Sequence, residues 1–186
     1  MSPNVFKVGT KEYPVEDCYI YGVFEDEIDE AINWNLVVEF PGEEVYASFQ
    51  GISFRDVHDF EGLQNKIFRI EDDEEDYFFY EGIEEELIYV DEIHFSKLDK
   101  ENQTIEVNVI GLAADEIIED EENEDEEIIG EELDIQLTAD FEGIYFYTEN
   151  KKNVEKFVVN HLKKKLDEVE IEYEKEEDVW SCLITY

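Results

Sequence analysis

In the first 110 residues the apolar positions recur with a period of two, or in short runs rich in β-branched and aromatic side chains. That is the pattern of strands with one or both faces covered. Residues 17–24 (DCYIYGVF), 32–40 (INWNLVVEF) and 44–49 (EVYASF) read as strands, and Pro41-Gly42 between the last two predicts a hairpin turn. Residues 66–70 (KIFRI) and 77–80 (YFFY) read as further strands on either side of an acidic run at 71–76, expected to be a solvated loop. Residues 86–98 and 103–110 follow; in the second, Ile105, Val107 and Val109 alternate with Glu106 and Asn108. No segment before residue 112 has helical spacing, so this part is expected to form a β-rich meander or small barrel.

The pattern changes after residue 132. Leu133, Ile135, Leu137, Ala139 and Phe141 alternate with polar residues, which predicts a strand with one wet face. Glu142-Gly143 reads as a tight turn into a second strand over 144–148. From 149 to 166, Val154, Phe157, Val158, His161, Leu162 and Leu166 fall at three- and four-residue spacing, the stripe of an amphipathic helix, with the aliphatic stem of Lys165 able to lie along it. Val169, Ile171 and Tyr173 then alternate with glutamates, and 179–186 (VWSCLITY) closes the chain. The fold class is therefore α+β. A β-rich domain is expected over 1–112, an acidic linker over 113–132, and a small ββαββ antiparallel sheet with one helix over 133–186. Within the linker, Ile117-Ile118 and Ile128-Ile129 leave open a short helix or strand docked by those pairs.

Charge alters what this fold can do. Fourteen Lys and Arg stand against 54 Asp and Glu, a net charge of -40, where a magnitude of roughly 2 to 8 suffices to keep a small domain soluble. With 42% hydrophobic and 14% aromatic residues the chain is not a disordered acidic tail. Glu outnumbers Asp 37 to 17 and Lys outnumbers Arg 12 to 2, the composition of an AT-rich genome more than of salt adaptation. Residues 1–132 hold 41 acidic and 7 basic side chains, and residues 133–186 hold 13 and 7. The densest stretch, 115–132, has carboxylates at twelve of eighteen positions. Lys151, Lys152, Lys156, Lys163, Lys164 and Lys165 fall on the predicted helix and read as its solvated face, with the last three near its negative C-terminal end.

Chemistry of the usual kinds finds little to use. A catalytic carboxylate pair needs one desolvated member, and these acids lie in polar runs. The runs at 72–76 and 119–127 supply oxygen ligands but lack the spaced loop with a central Gly of a dedicated Ca2+ site. His58, His94 and His161 have no Cys or Ser beside them in a nucleophile pattern, and no Gly-rich phosphate loop is present. Cys18 and Cys182 are too far apart in sequence for a metal or redox pair and read as buried thiols. No catalytic residue, metal or cofactor is assigned. Direct binding to nucleic acid is opposed by the charge. The first 13 residues hold no apolar run of signal-peptide length and no segment approaches about 18 apolar residues, so the expected location is the cytoplasm, away from membrane.

The segment from Ile144 through one helix to a last strand bearing Trp180 and Cys182 resembles the ferredoxin-like domain of the protein family that binds and inhibits ribonuclease E. That domain has a second helix, which this sequence does not clearly supply. In outline, residues 1–132 resemble the acidic, β-rich immunity proteins of bacterial toxin systems. Both resemblances imply an inhibitor of a nuclease, and neither carries a functional residue across. Together with the charge they lead to the expectation of a non-enzymatic acidic binding protein that occludes a positively charged groove on a basic partner, as nucleic acid would. The alternative is a structural or regulatory interaction module whose charge serves solubility. Candidate contacts are Asp72, Asp73, Glu74, Glu75 and Asp76 with the neighbouring Tyr77 and Phe79, and Glu119, Asp120, Glu121, Glu122, Glu124 and Asp125 in the central stretch.

Overall fold

The structure, a computed structural model, describes residues 4–26, 30–42, 46–69, 78–81, 87–120, 125–176 and 179–186; at 78–81, 87–89, 113–120, 125–129 and 176 it describes the backbone alone. In chain order the strands are β1 (Val5–Val8), β2 (Lys11–Tyr13), β3 (Asp17–Glu25), β4 (Asn33–Glu39), β5 (Tyr46–Ser53) and β6 (Ile67–Arg69). They continue as β7 (Phe78–Glu81), β8 (Leu87–Asp99), β9 (Thr104–Asp120), β10 (Asp125–Thr148), β11 (Glu170–Glu176) and β12 (Val179–Thr185). Among the described residues these twelve strands join in one sheet, whose main path runs β6-β8-β9-β10-β3-β4-β5-β7. The protein is mostly β with one helix.

Two antiparallel meanders are present, β3-β4-β5 and β8-β9-β10; their strands were expected up to residue 110, whereas the pairing of β9 with β10 was not. What joins them is a parallel seam between β3 and β10, which makes the sheet mixed. Strand β10 is the hub. Register pairs place β9 and then β12 along one of its edges, and β1 and then β3 along the other.

Three expectations are corrected here. Where a flexible linker was expected, the described residues 113–120 and 125–132 are strand, with Glu119 opposite Glu126 and Asp120 opposite Asp125. The isoleucine pairs lie in that ribbon, Ile117 opposite Ile128. Second, Glu142-Gly143 is a β-bulge inside one continuous strand and not a turn, so the expected ββαββ unit is one long strand, a helix and two strands. Before the bulge the buried residues are Leu133, Ile135, Leu137, Ala139 and Phe141; after it they are Ile144, Phe146 and Thr148. The extra residue moves the core-facing positions from odd to even numbers. Third, the helix is shorter than the stripe: Lys152–Lys156 is α-helical and continues through a wider π turn, Phe157–His161. Lys163 then takes a left-handed conformation (φ 58°), and Leu166 lies exposed in a separate short turn.

One core fills the concave side. Phe6, Ile20, Trp34, Leu36, Ile93, Phe95, Ile105, Ile135 and Phe146 are all at most 1% exposed. Each such side chain contributes about 1.5–3 kcal/mol by leaving water. Gly22 sits in β3 because the core approaches there: a β-carbon would lie 2.7 Å from Ile32 Cγ2 and 3.2 Å from Ile144 Cγ1. The helix closes this side through Val154, Phe157, Val158 and Leu162, with Phe157 stacked 4.4 Å from Phe146 and tilted against Phe24 at 4.8 Å. Among the described residues no helix is long and apolar enough to cross a membrane.

His161 ends that stripe and sets a pH dependence. Its ring stacks 5.1 Å from Phe157, lies 4.7 Å from Phe24 and meets His58 at 5.5 Å; its Nε2 is buried with no hydrogen-bond partner among the described residues. Burial, and secondarily His58 and Lys163, hold its pKa below the ordinary value. The unfolded chain therefore binds the proton more tightly than the folded one, so this stabilisation is fully present above about pH 6.5 and is lost as pH falls toward the folded value. Thermal melts should show a midpoint that declines between roughly pH 7 and 5.5, and His161→Phe should flatten that decline. An unchanged slope in the variant would assign the decline elsewhere.

Candidate functional site

The residues singled out from sequence are partly out of reach. Asp72, Asp73, Glu74, Glu75, Asp76, Tyr77, Glu121, Glu122 and Glu124 lie outside the described residues. Phe79 is in β7, in register with Ser48 of β5; Glu119 and Asp120 end β9 and Asp125 begins β10, where the two strands pair. The run at 72–76 thus precedes an outer strand of the main path, while Glu119, Asp120 and Asp125 lie at the end of the β9-β10 ribbon.

Sequence reasoning missed the outward face of the β10-β3-β4-β5 region. Strand β3 turns Cys18, Ile20 and Phe24 to the core, so Tyr19 and Tyr21 point the other way. The bulge at Glu142-Gly143 gives β10 the matching phase, with Gly143 opposite Tyr21 and Tyr145 opposite Val23. The rings of Tyr19 and Tyr21 stack at 6.4 Å, and Tyr145 meets Tyr21 edge-on at 5.6 Å. Beside them in register Asn35, Val37 and Ser48 are buried although they face outward. Tyr147 and Leu183 extend the face toward β12. The signal was present in the sequence: DCYIYGVF and IYFYT carry tyrosines on the face opposite their core-facing apolar residues.

Carboxylates rim the tyrosines. Asp17 lies opposite Glu39 across β3 and β4, and Glu142 projects from the bulge nearby. Burial, then the charges of Asp17 and Glu39, raise the Glu142 pKa above the ordinary glutamate value. The Tyr19 hydroxyl donates to Glu39 Oε1 at 3.3 Å. Burial, then Glu39 and Glu142, push the Tyr19 pKa up to about 12. Burial and neighbouring hydroxyls also raise Tyr21, and burial with Glu142 raises Tyr145. At neutral pH the face therefore offers neutral phenols with carboxylates around them.

The cations are placed elsewhere. Lys164 lies 3.1 Å from Asp59 and 3.4 Å from Glu61, Lys165 binds Glu168 at 2.8 Å, and Arg69 donates to Glu92 at 2.6 Å, which also holds His94. Lys151, at the helix start, sits 3.8 Å from the Tyr173 ring centre and 4.9 Å from that of Trp180. Among the described residues no Lys or Arg forms an ion pair with Asp17, Glu39 or Glu142. Nor do the described residues bring three His, Cys, Asp or Glu side chains together in a group able to hold a metal ion. Cys18 and Cys182 are buried free thiols whose pKa values burial raises, so neither is a ready nucleophile. A half-open cavity of about 260 Å³ is lined by Phe60, Phe141 and Tyr186 together with Lys100 and Lys164, both bound to Glu61.

Comparison with protein-family models, curated proteins and solved structures finds no match for this chain.

Proposed function

We propose that this is a non-enzymatic acidic binding protein that occludes a positively charged site on a partner, as an inhibitor or immunity protein for a nuclease or another nucleic-acid-binding protein. The observation that carries the reading is the set Asp17, Glu39 and Glu142, which face one another beside a tyrosine surface with no ion pair to a Lys or Arg among the described residues. Burial first, and then repulsion from Asp17 and Glu39, raise the Glu142 pKa, and an incoming cation relieves the repulsive part. The net charge of -40 adds long-range attraction that speeds encounter with a basic surface. Duplex DNA presents one charge per about 1.7 Å of axis, so a protein groove built for DNA needs a dense array of carboxylates to fill it. Asp17 and Glu39, facing each other across strands about 4.8 Å apart, contribute two charges to such an array.

Competition with DNA tests this. A basic partner retained on the immobilised protein at about 50 mM NaCl should be released as salt rises, chiefly through a slower on-rate, and also by added duplex DNA at constant salt. Retention that ignores both salt and DNA would sink the reading.

A further inference from the structure

Resting on the reading that the partner is basic, we infer that the element seated on the Tyr19, Tyr21 and Tyr145 face is an extended polypeptide segment with Arg or Lys at alternate positions. Charge fixes the sign of the occupant: Asp17, Glu39 and Glu142 repel nucleic acid and anionic lipid headgroups and attract guanidinium or ammonium groups. The rings fix its chemistry. Elsewhere in this fold lysines cover tyrosines: Lys11 lies 4.9 Å from the Tyr13 ring centre, Lys151 lies 3.8 Å from that of Tyr173, and Lys164 lies 4.3 Å from that of Tyr186. Among the described residues no cation covers Tyr19, Tyr21 or Tyr145. These are electron-rich faces in a field of carboxylates, the setting in which a cation over a ring binds best.

Spacing fixes the shape of the occupant. Tyr19 and Tyr21 are neighbours on one face of one strand, with ring centres 6.4 Å apart. Alternate side chains of an extended chain repeat at about 6.6–6.8 Å. A segment laid along β3 thus presents one cation per ring when every second residue is basic, and its intervening residues point away. A contiguous block of basic residues directs only half of its charge to the face.

The test uses two synthetic peptides of about ten residues and equal composition, one alternating Arg and Thr, the other with all Arg in one block. Titrated against the intact protein at about 150 mM NaCl, the alternating peptide should bind at least about tenfold more tightly. Tyr21→Ala with Tyr145→Ala, which leaves net charge unchanged at neutral pH, should remove that preference. Tyr21→Phe with Tyr145→Phe should keep it within about threefold, because the rings remain. Ring resonances of Tyr19, Tyr21 and Tyr145 in the unaltered protein should shift with the alternating peptide, a readout that stands even if the Ala variant fails to fold. Equal binding of both peptides, or unmoved ring resonances, would overturn this inference and leave the acidic-binder reading standing. Failure of both peptides to bind even at low salt would overturn the two together.

Discussion

Trp34→Ala is expected to lower the free energy of unfolding by about 3–5 kcal/mol, measured by urea denaturation at neutral pH. Trp34 heads the largest fully buried side chains. It lies in β4 opposite Gly22 of β3 and Ile52 of β5, with its ring 6.4 Å from that of Phe141. Removing it leaves a void at the parallel seam, where the closely packed Gly22, Ile32 and Ile144 cannot collapse without shifting the sheet. Domains of this size are stable by about 5–15 kcal/mol, so the loss is a large share of the total. Trp34→Phe separates packing from polarity. The indole Nε1 is buried with no hydrogen-bond partner among the described residues, and such a donor costs about 1–3 kcal/mol. Phe deletes that donor while keeping most of the ring, so it should cost well under half of what Ala costs. If the two variants lost equal stability, the indole nitrogen would have a partner and the packing account would be incomplete.

Much of the fold was legible because strands announce themselves by a period of two. Residues 103–110 show that period and became the first part of β9, and the β-branched and aromatic run at 17–24 became β3. The acidic stretch was misread because composition was weighed above pairing. Carboxylates at twelve of eighteen positions suggest a solvated tether, yet backbone hydrogen bonds do not depend on the side chain, and β9 and β10 pair through both ends of that stretch. The helix was overextended because Leu166 kept the period by coincidence; a left-handed Lys163 leaves no mark in a hydrophobic pattern. The parallel seam was invisible for a different reason. Partner choice between β3 and β10, more than a hundred residues apart, is a long-range property, whereas periodicity is local. The candidate site followed the same rule. Each tyrosine was visible, but their meeting depends on that seam. The charge, by contrast, was readable in full from composition.

Gly143→Ala is the second large effect, and it tests the seam itself. Gly143 has φ 134°, a region that only glycine enters without strain, and a β-carbon there would lie 2.7 Å from Leu183 Cδ1 and 3.0 Å from the Ile184 carbonyl oxygen. Backbone strain of about 1–3 kcal/mol and overpacking of similar size together give an expected loss of about 2–6 kcal/mol. Gly62→Ala provides the comparison, since its β-carbon would approach nothing nearer than 3.2 Å and its φ is not in the left-handed region, so it should cost far less. Deleting Gly143 would instead remove the bulge: strict alternation from Phe141 then still carries Ile144 and Phe146 inward and Tyr145 outward, so the deletion should cost less than the Ala variant and separates the strain at Gly143 from the choice of face. The Ala variant, if it folds, should also bind the alternating basic peptide less well, because Glu142 and Tyr145 are both set by this bulge. An Ala variant as stable as the parent would mean that β10 carries its change of face without the constraint at Gly143, and the geometry assigned to the tyrosine surface would have to be redrawn.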